Sequence, residues 1–560
     1  MAPNRNIVWI MCDQLRRDHL SCYGHPHLQT PNIDRLAARG VRFDRAYVQS
    51  TICGPSRMSA YTGRYVRSHG STWNNVPLKV GEPTLGDHLR EAGMRAVLVG
   101  KTHMKADAEG MARLGIDPDG VIGVLAAQCG FEPFERDDGL HPDGPYDPDP
   151  AYDRYLRDLG YNGDNPWEEW ANSAEGPDGD ILDGWLLAHA DKPARVPEEH
   201  SETPYMTRRA MDFVREAQAD GRPWLMHLSY IKPHWPYIVP APYHAMYGPE
   251  HLLPPIRDEA ERRDPHPLYA AFMAERHSVN FSRDEVRSRV LPAYMGLIRQ
   301  IDDQIGVLMD FLEAEGLLDT TMIVFSSDHG DYLGDHWLGE KYLFHEQSAG
   351  VPLIMVDPDP AADAARGTAS DALVEMIDLA PTFLDWLGAP AKPHILEGRS
   401  LLPLLRGEAP AAWREAVYCE YDFSFDPARV KLGTPVADSR ATMVFDGRWK
   451  YIHVPLMRPM LFDLATDPLE LRDLGADPAF EDERRRLHGL LFDWARKPAT
   501  RTTLSDERIT ANDDVALKFD GAAAAGILIG YWDEAEVEED RANRARALRE
   551  RAARGGEDGA

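Results

Sequence analysis

Four groups of side chains in this 560-residue chain could do chemistry together. Asp13-Gln14 closes a short apolar run, Ile7-Val8-Trp9-Ile10-Met11, and Asp328-His329-Gly330 follows another, Met322 to Ser326. If both runs are strands of one sheet, the two pairs meet along one of its edges. Three oxygen donors and one imidazole suit a hard divalent cation, Ca2+ or Mn2+. Cys53-Gly54-Pro55-Ser56-Arg57 places a thiol where a loop enters a helix, with an arginine about one turn on. Free N–H groups at such a terminus favour a transferring anion. Lys101 and His103 follow a third apolar run, and His234 and Lys341 each sit in a short Pro- or Gly-flanked segment. Taken singly, each has a plainer reading: Cys53 as a small buried thiol, Asp-His-Gly as a turn, Lys101 and His103 as solvated loop residues.

The elements that would hold these side chains alternate in type. Ile7 to Met11 reads as a buried strand, and a helix is expected from Pro31 to Ala38, stopped at Gly40. A helix from Thr84 to Ala92 precedes a strand from Arg95 to Val99. The pattern resumes with a helix from Tyr205 to Ala219, a strand from Trp224 to Tyr230 and a long helix from Leu291 to Glu315. Strands from Met322 to Ser326 and Val351 to Val356 and a helix from Leu379 to Leu387 complete it. This alternation predicts an α/β fold over residues 1–400, a large, mostly parallel mixed sheet flanked by helices. Residues 401–500 change character: strands at Ala416 to Tyr421 and Met443 to Val454, the second with an Asp446-Gly447 hairpin signal, then a helix from Asp482 to Arg496, predict a smaller C-terminal α+β subdomain. Residues 501–560 form a tail whose apolar patch, Ala522 to Trp532, reads as a packing or subunit contact. Residues 107–199, rich in Asp, Gly and Pro, read as a long excursion able to cover an active-site mouth.

The twelve residues from Cys53 to Arg64 resemble, in register, the sulfatases of the alkaline phosphatase superfamily, whose C-x-P-x-R signature marks a cysteine oxidised after synthesis to formylglycine. The resemblance extends through Asp13-Gln14, the G-K-x-H block at Gly100-Lys101-Thr102-His103, the P-H-x-P block at Pro233-His234-Trp235-Pro236, Asp328-His329-Gly330 with Lys341, and a block from Leu461-Phe462-Asp463-Leu464 to Glu470 that looks structural. It spans residues 6 to 495 and implies an alkaline phosphatase-like fold. It also implies a formylglycine-generating enzyme as a maturation partner, and one divalent ion held by Asp13, Gln14, Asp328 and His329. A hydrated formylglycine carries two geminal hydroxyls, one to attack an anionic ester and one to expel it afterwards. On this resemblance Arg57 bonds the ionised hydroxyl, Lys101 neutralises a non-bridging oxygen, His103 takes the proton as the covalent intermediate collapses, His234 is the general acid and Lys341 clamps the leaving oxygen or the anion.

Two features tilt the resemblance in opposite directions. The commonest sulfatase pattern has two adjacent aspartates and an Asp-Asn pair, whereas Gln14 and His329 are similar to the branch of phosphonate monoester hydrolases and choline sulfatases. Asn74, in Trp73-Asn74-Asn75-Val76-Pro77, matches a substrate-binding asparagine of the phosphonate branch, its rival reading being a turn residue; Tyr243 to Tyr247 lean the same way. Lys101 and His103 lean back toward sulfate esters. The expected activity is arylsulfatase-like hydrolysis of sulfate monoesters, promiscuous toward phosphonate monoesters and phosphodiesters. The alternatives are phosphonate or phosphodiester hydrolysis as the primary activity, the latter also with Cys53 as a structural thiol only, and a non-catalytic anion-binding protein on the same scaffold.

Composition narrows the partners. With 61 Lys and Arg against 91 Asp and Glu, a net charge of −30, the chain repels nucleic acid, so an anionic substrate must be met by a local cluster of cations. At 43% hydrophobic and 27% charged residues it can bury a large core. Five dispersed cysteines imply no disulfide framework. The N-terminal apolar run is too short for a secretory signal and no stretch reaches the roughly 18 apolar residues of a membrane span. The expectation is a cytoplasmic enzyme without membrane contact, assembled as a homodimer or homotetramer, since the nearest branch of the resembled family is tetrameric.

Overall fold

In a computed structural model, which describes residues 5–74, 76–139, 149–497, 499–510 and 530–554, the strand β1 (Asn6–Asp13) is buried along its whole length. Its alternate residues enter two different cores: Ile7, Trp9 and Met11 face one, Val8, Ile10 and Cys12 the other. Burial on both faces is why the run is apolar without alternation. The remaining strands of the large sheet are β2 (Val41–Tyr47), β3 (Arg95–Gly100) and β4 (Glu132–Arg136); a separate hairpin pairs β5 (Ser173–Glu175) with β6 (Ile181–Asp183); the sheet continues with β7 (Trp224–Pro233), β8 (Thr321–Ser327), β9 (Gly350–Val356), β10 (Thr368–Ser370) and β11 (Val374–Glu375). The order is β10-β2-β9-β8-β1-β7-β3-β4, with β11 also on β2. Only the pairings of β9, with β2 and with β8, are antiparallel; the sheet is mixed and mostly parallel, as expected.

Register delivers the chemistry. Cys12 of β1 stands opposite Ser327 of β8, so the next residues, Asp13 and Asp328, leave the sheet side by side. Met11 stands opposite Ser229 of β7, and Gly100 at the end of β3 is opposite the same serine. Gly100 has φ +111°, and a Cβ there would lie 2.1 Å from the Ser229 carbonyl oxygen, so only glycine lets the chain turn off the strand into Lys101. Helices Pro31–Arg39, Glu202–Asp220 and the 31-residue Asp284–Ala314 cover one face through Ile33, Phe213 and Ile301. Helices Cys53–Thr62, Leu85–Glu91 and Leu379–Trp386 cover the other through Met58, Leu89 and Phe383.

The long helix starts at Asp284, before the expected Leu291, and carries Pro292 inside it. Its first turns are charged, and they conceal the apolar face from a periodicity reading. The excursion 107–199 holds short helices, a π-turn at Trp167–Ala171 and the β5–β6 hairpin; residues 140–148 of it lie outside the described residues.

The second sheet is antiparallel, β12 (Val417–Asp422), β13 (Arg440–Phe445), β14 (Trp449–His453) and β15 (Met460–Asp463) in that order. The run expected as one strand from Met443 to Val454 is thus two, turned at Asp446 where the hairpin signal lies. Helix Glu481–Arg496 packs on it through Leu487, Leu491 and Trp494. Residues 1–391 with 396–497 form one compact unit containing both sheets, and 392–395 with 498–560 a second. In the tail, helix Glu534–Arg554 follows an exposed Trp532, while 522–529 of the apolar patch lie outside the described residues. Among the described residues no helix is long and apolar enough to cross a membrane.

One buried cation pins the two sheets together. Lys450 of β14, fully buried, places Nζ 2.6 Å from the Glu470 carboxylate and 3.0 Å from that of Glu346, and donates to the Phe344 carbonyl at 2.9 Å. Glu470 closes the motif read as structural. Lys450→Ala leaves Glu470 buried and uncompensated, so it is expected to cost roughly 3–5 kcal/mol of stability, read as a lowered denaturation midpoint; an unchanged midpoint would show that the lysine is dispensable.

Candidate active site

Cys53 is the first residue of helix Cys53–Thr62, all ten residues of which are buried. Its Sγ, standing where a formylglycine hydroxyl oxygen would stand, is 3.1 Å from His329 Nε2, 3.1 Å from Lys341 Nζ and 3.7 Å from Asp13 Oδ1. No side chain caps the helix through its Ncap residue Ile52. Asn74 Oδ1 accepts the Gly54 N–H at 2.8 Å instead, satisfying one of the terminal donors that a helix leaves open. Gly54 has no room for a side chain, since a Cβ would lie 2.9 Å from Asn74 Oδ1. Asn74, expected at the substrate, is thus occupied in holding the start of the nucleophile's helix.

Asp13 and Asp328, from opposite ends of the chain, are both fully buried. Arg57, also fully buried, binds them as a bridge: Nε donates to Asp328 Oδ2 at 2.7 Å and Nη2 approaches Asp13 Oδ2 at 3.4 Å. Nη1 donates to the Lys101 carbonyl at 2.9 Å and to Ser229 Oγ at 2.7 Å. The guanidinium therefore braces the carboxylates, where the resemblance had it bonding the nucleophile. Ser56 Oγ ties the same helix to the Asp328 carbonyl at 2.6 Å. Lys101 Nζ lies 2.6 Å from Asp13 Oδ2.

The donor set fits a hard divalent ion. Ligand atoms of Asp13, Cys53, Asp328 and His329 all lie within 4.8 Å of one another, every one buried. His329 Nδ1 is 2.9 Å from the Gly330 carbonyl, which assigns the proton to Nδ1 and leaves Nε2 an acceptor facing the carboxylates. Gln14 Oε1 accepts from Lys341 Nζ at 3.0 Å on the same side. Two buried carboxylates side by side need positive charge between them.

The local charges follow from that crowding. Burial and Cys53 push the Asp13 carboxyl up, but Lys101, His234 and Arg57 outweigh them and hold it below the usual carboxylate range. Burial raises the Cys53 thiol, while Lys341, His329 and Lys101 bring it far below the ordinary thiol value. Burial lowers Lys341, and the neighbouring Cys53 and Asp13 more than reverse it. His234 is lowered, chiefly by burial, with Asp13 opposing and Lys341 and Lys101 assisting.

Three site segments adopt left-handed backbone at non-glycine residues, Gln14 (φ +64°), His103 (φ +52°) and Glu340 (φ +60°), a conformation that persists only where surroundings impose it. His103 N donates to Asp138 Oδ1 at 2.7 Å. His234 Nδ1 meets the Trp235 carbonyl at 2.8 Å and its Nε2 meets Lys341 Nζ at 3.3 Å. The excursion reaches this neighbourhood through Asp138 and through Trp185, whose ring centroid is 5.3 Å from that of Trp235. All of the expected site residues converge, Asn74 one layer back. Sequence reasoning missed Ser229, Asp138, Asp331 and Glu340; Asp331, three residues after Asp328 in a loop where exposed polar residues are ordinary, offered the one available signal.

Comparison with known proteins gives one consistent likeness. The family model described as Sulfatase matches residues 5–389 and that described as N-sulphoglucosamine sulphohydrolase, C-terminal, matches 334–497. The chain is 32% identical over 525 residues to the "Multifunctional alkaline phosphatase superfamily protein PehA" of Trinickia caryophylli, covering 89% of this chain and 96% of that protein. It is 28% identical to an arylsulfatase of Clostridium perfringens, covering 76% and 83%. Among solved structures it is similar to the phosphonate monoester hydrolase SpPMH from Silicibacter pomeroyi, with a TM-score of 0.77 and 28% identity over 90% of this chain and 97% of that one.

The Asn74–Gly54 bond is open to direct test. Asn74→Ala is expected to lose about 1 kcal/mol of stability, the usual cost of an uncapped helix start, measured by denaturant unfolding. Unchanged stability with a raised KM would return Asn74 to the substrate.

Proposed function

The chain belongs to the sulfatase family, and from that premise we propose that it hydrolyses sulfate monoesters of aryl alcohols through a formylglycine made by oxidation of Cys53, with phosphonate monoesters and phosphodiesters as slower substrates. The observation that carries this reading is Cys53 itself, at the start of a buried helix with His329, Lys341 and Asp13 around its sulfur. Asp13, Gln14, Asp328 and His329 would hold the divalent ion, which when bound lowers the pKa of the attacking hydroxyl and neutralises charge on the ester.

The chain's own groups supply the rest. Arg57 keeps Asp13 and Asp328 oriented. The hydroxyl oxygen of residue 53 forms a bond to sulfur, and the bond from sulfur to the leaving oxygen breaks. With Nδ1 turned to the Trp235 carbonyl, His234 in its protonated form presents Nε2–H as general acid to that oxygen, and Lys341, whose Nζ lies 3.3 Å from Nε2, clamps the leaving oxygen or the anion through its charge. Burial lowers the proton affinity of His234, which makes its protonated form a ready donor to the departing aryloxide. Lys101, beside Asp13, meets a non-bridging oxygen. In the second half His103, whose Nδ1 has no hydrogen-bond partner among the described residues, takes the proton from the remaining hydroxyl. The carbon–oxygen bond to the sulfate breaks, the aldehyde returns and water rehydrates it.

A second reading, phosphonate monoester hydrolysis as the primary activity, is favoured by Gln14 and His329 in the metal set and by the likeness to SpPMH. Lys101 and His103 support the sulfate reading over it. On either reading the net charge of −30 keeps nucleic acid away, maturation requires a formylglycine-generating enzyme, and we expect a cytoplasmic homodimer or homotetramer.

Mass spectrometry of the peptide containing residue 53, from protein made in its native host, should show a loss of about 18 Da relative to cysteine. The same protein should give a higher kcat/KM for an aryl sulfate than for the matching aryl phosphonate or phosphodiester. An unmodified thiol in active protein contradicts the mechanism; a reversed substrate order selects the second reading.

A further inference from the structure

Gln14 is the one neutral oxygen donor among the four residues that would hold the ion, and an amide has two ends of nearly equal shape. Only the oxygen end can ligate a cation; the NH2 end repels it. Something must choose between them. The structure assigns that choice to Asp331, assisted by Glu340: we propose that this pair of carboxylates are positioning residues that hold the Gln14 amide with its oxygen toward the ion.

The contacts around Gln14 run one way only. Its side chain is fully buried. Nε2 donates a short hydrogen bond to Asp331 Oδ2 and a longer one, 3.5 Å, to Glu340 Oε2. On the opposite side Oε1 accepts from Lys341 Nζ, which has donors alone to offer. The backbone is pinned as well: Gln14 N donates to Asp328 Oδ1 at 3.0 Å and its carbonyl accepts from the Tyr294 hydroxyl at 2.7 Å. The positioning carboxylates are themselves fixed. Asp331 accepts from Leu333 N at 2.9 Å and from the Tyr237 hydroxyl at 3.0 Å, and Glu340 accepts from Trp235 Nε1 at 2.8 Å. Turning the amide over would aim its oxygen at two carboxylates and its NH2 at Lys341, losing every one of these side-chain bonds at once.

The mechanism above uses neither Asp331 nor Glu340. The same logic explains how Gln14 fits this chain: a carboxylate at position 14 would place like charge against Asp331 and Glu340 unless their charge were reduced. Donor and acceptor can be exchanged without changing size. In the pair Gln14→Glu with Asp331→Asn, residue 331 donates the bond that residue 14 used to donate, and an oxygen still faces the ion.

The inference rests on the metal reading of the site, and titration with Mn2+ or Ca2+ by calorimetry tests it without turnover. Asp331→Asn is expected to weaken binding about tenfold or more, the usual loss when a ligand's orienting partner is removed, with an unchanged thermal midpoint before metal is added. Adding Gln14→Glu should tighten binding at least tenfold more in the Asp331→Asn background than in the wild type. Equal effects in the two backgrounds, or Asp331→Asn binding like wild type, overturn the positioning role. If wild type takes up no stoichiometric ion, the metal reading falls and the inference with it. Should Asp331→Asn fail to fold, the half-buried Glu340→Gln serves: about threefold weaker binding supports the proposal and wild-type affinity overturns it.

Discussion

The structure turns on two carboxylates that repel each other. Asp13 and Asp328 emerge at the same level of adjacent parallel strands, both fully buried, with Arg57 bridging them. Left alone, such a pair would shed a charge or drive the strand ends apart. The residues around them supply compensating charge: the guanidinium behind, Lys101 on one side and Lys341 in front. In a chain with a net charge of −30, three buried cations, Arg57, Lys101 and Lys341, gather round this pair.

The fold makes this meeting unavoidable rather than fortunate. β1 sits near the middle of the sheet with β7 and β8 as neighbours, so three segments enter the site from three consecutive parallel strand ends, and β3 adds a fourth. Helix Cys53–Thr62 packs across those ends and brings Cys53, Ser56 and Arg57 to bear together. The second sheet, fastened through Lys450, lies behind Glu346 at the edge of the same unit.

Much of this was legible in the sequence because strand ends and motifs are local. Asp13, Asp328 and Lys101 each follow a short, mostly apolar run, and a doubly buried parallel strand writes itself as such a run; the strand before His234 is legible despite its His227 and Ser229. β2 and β4 were not legible: Arg42, Asp44 and Arg45 interrupt the one and Glu132, Pro133 and Glu135 the other, at the sheet's edge, where polar residues are tolerated. The contacts of Arg57 with both carboxylates and of Asn74 with Gly54 were not legible for a different reason. Spacing says which residues approach a site; it does not say whether a long side chain ends on a nucleophile or on a carboxylate three ångströms away. Asp331 and Glu340 escaped because their function is toward Gln14, a relation that no periodicity records.

The central claim, that carboxylates from the two ends of the chain close on one ion beside residue 53, is tested most directly by anomalous diffraction from crystals grown with Mn2+. The account predicts a single strong peak at roughly 2.0–2.6 Å from oxygens of Asp13, Gln14 and Asp328 and from His329 Nε2, adjacent to the side chain of residue 53. A peak elsewhere, or Asp13 and Asp328 bound to Arg57 with no ion between them at saturating Mn2+, contradicts it.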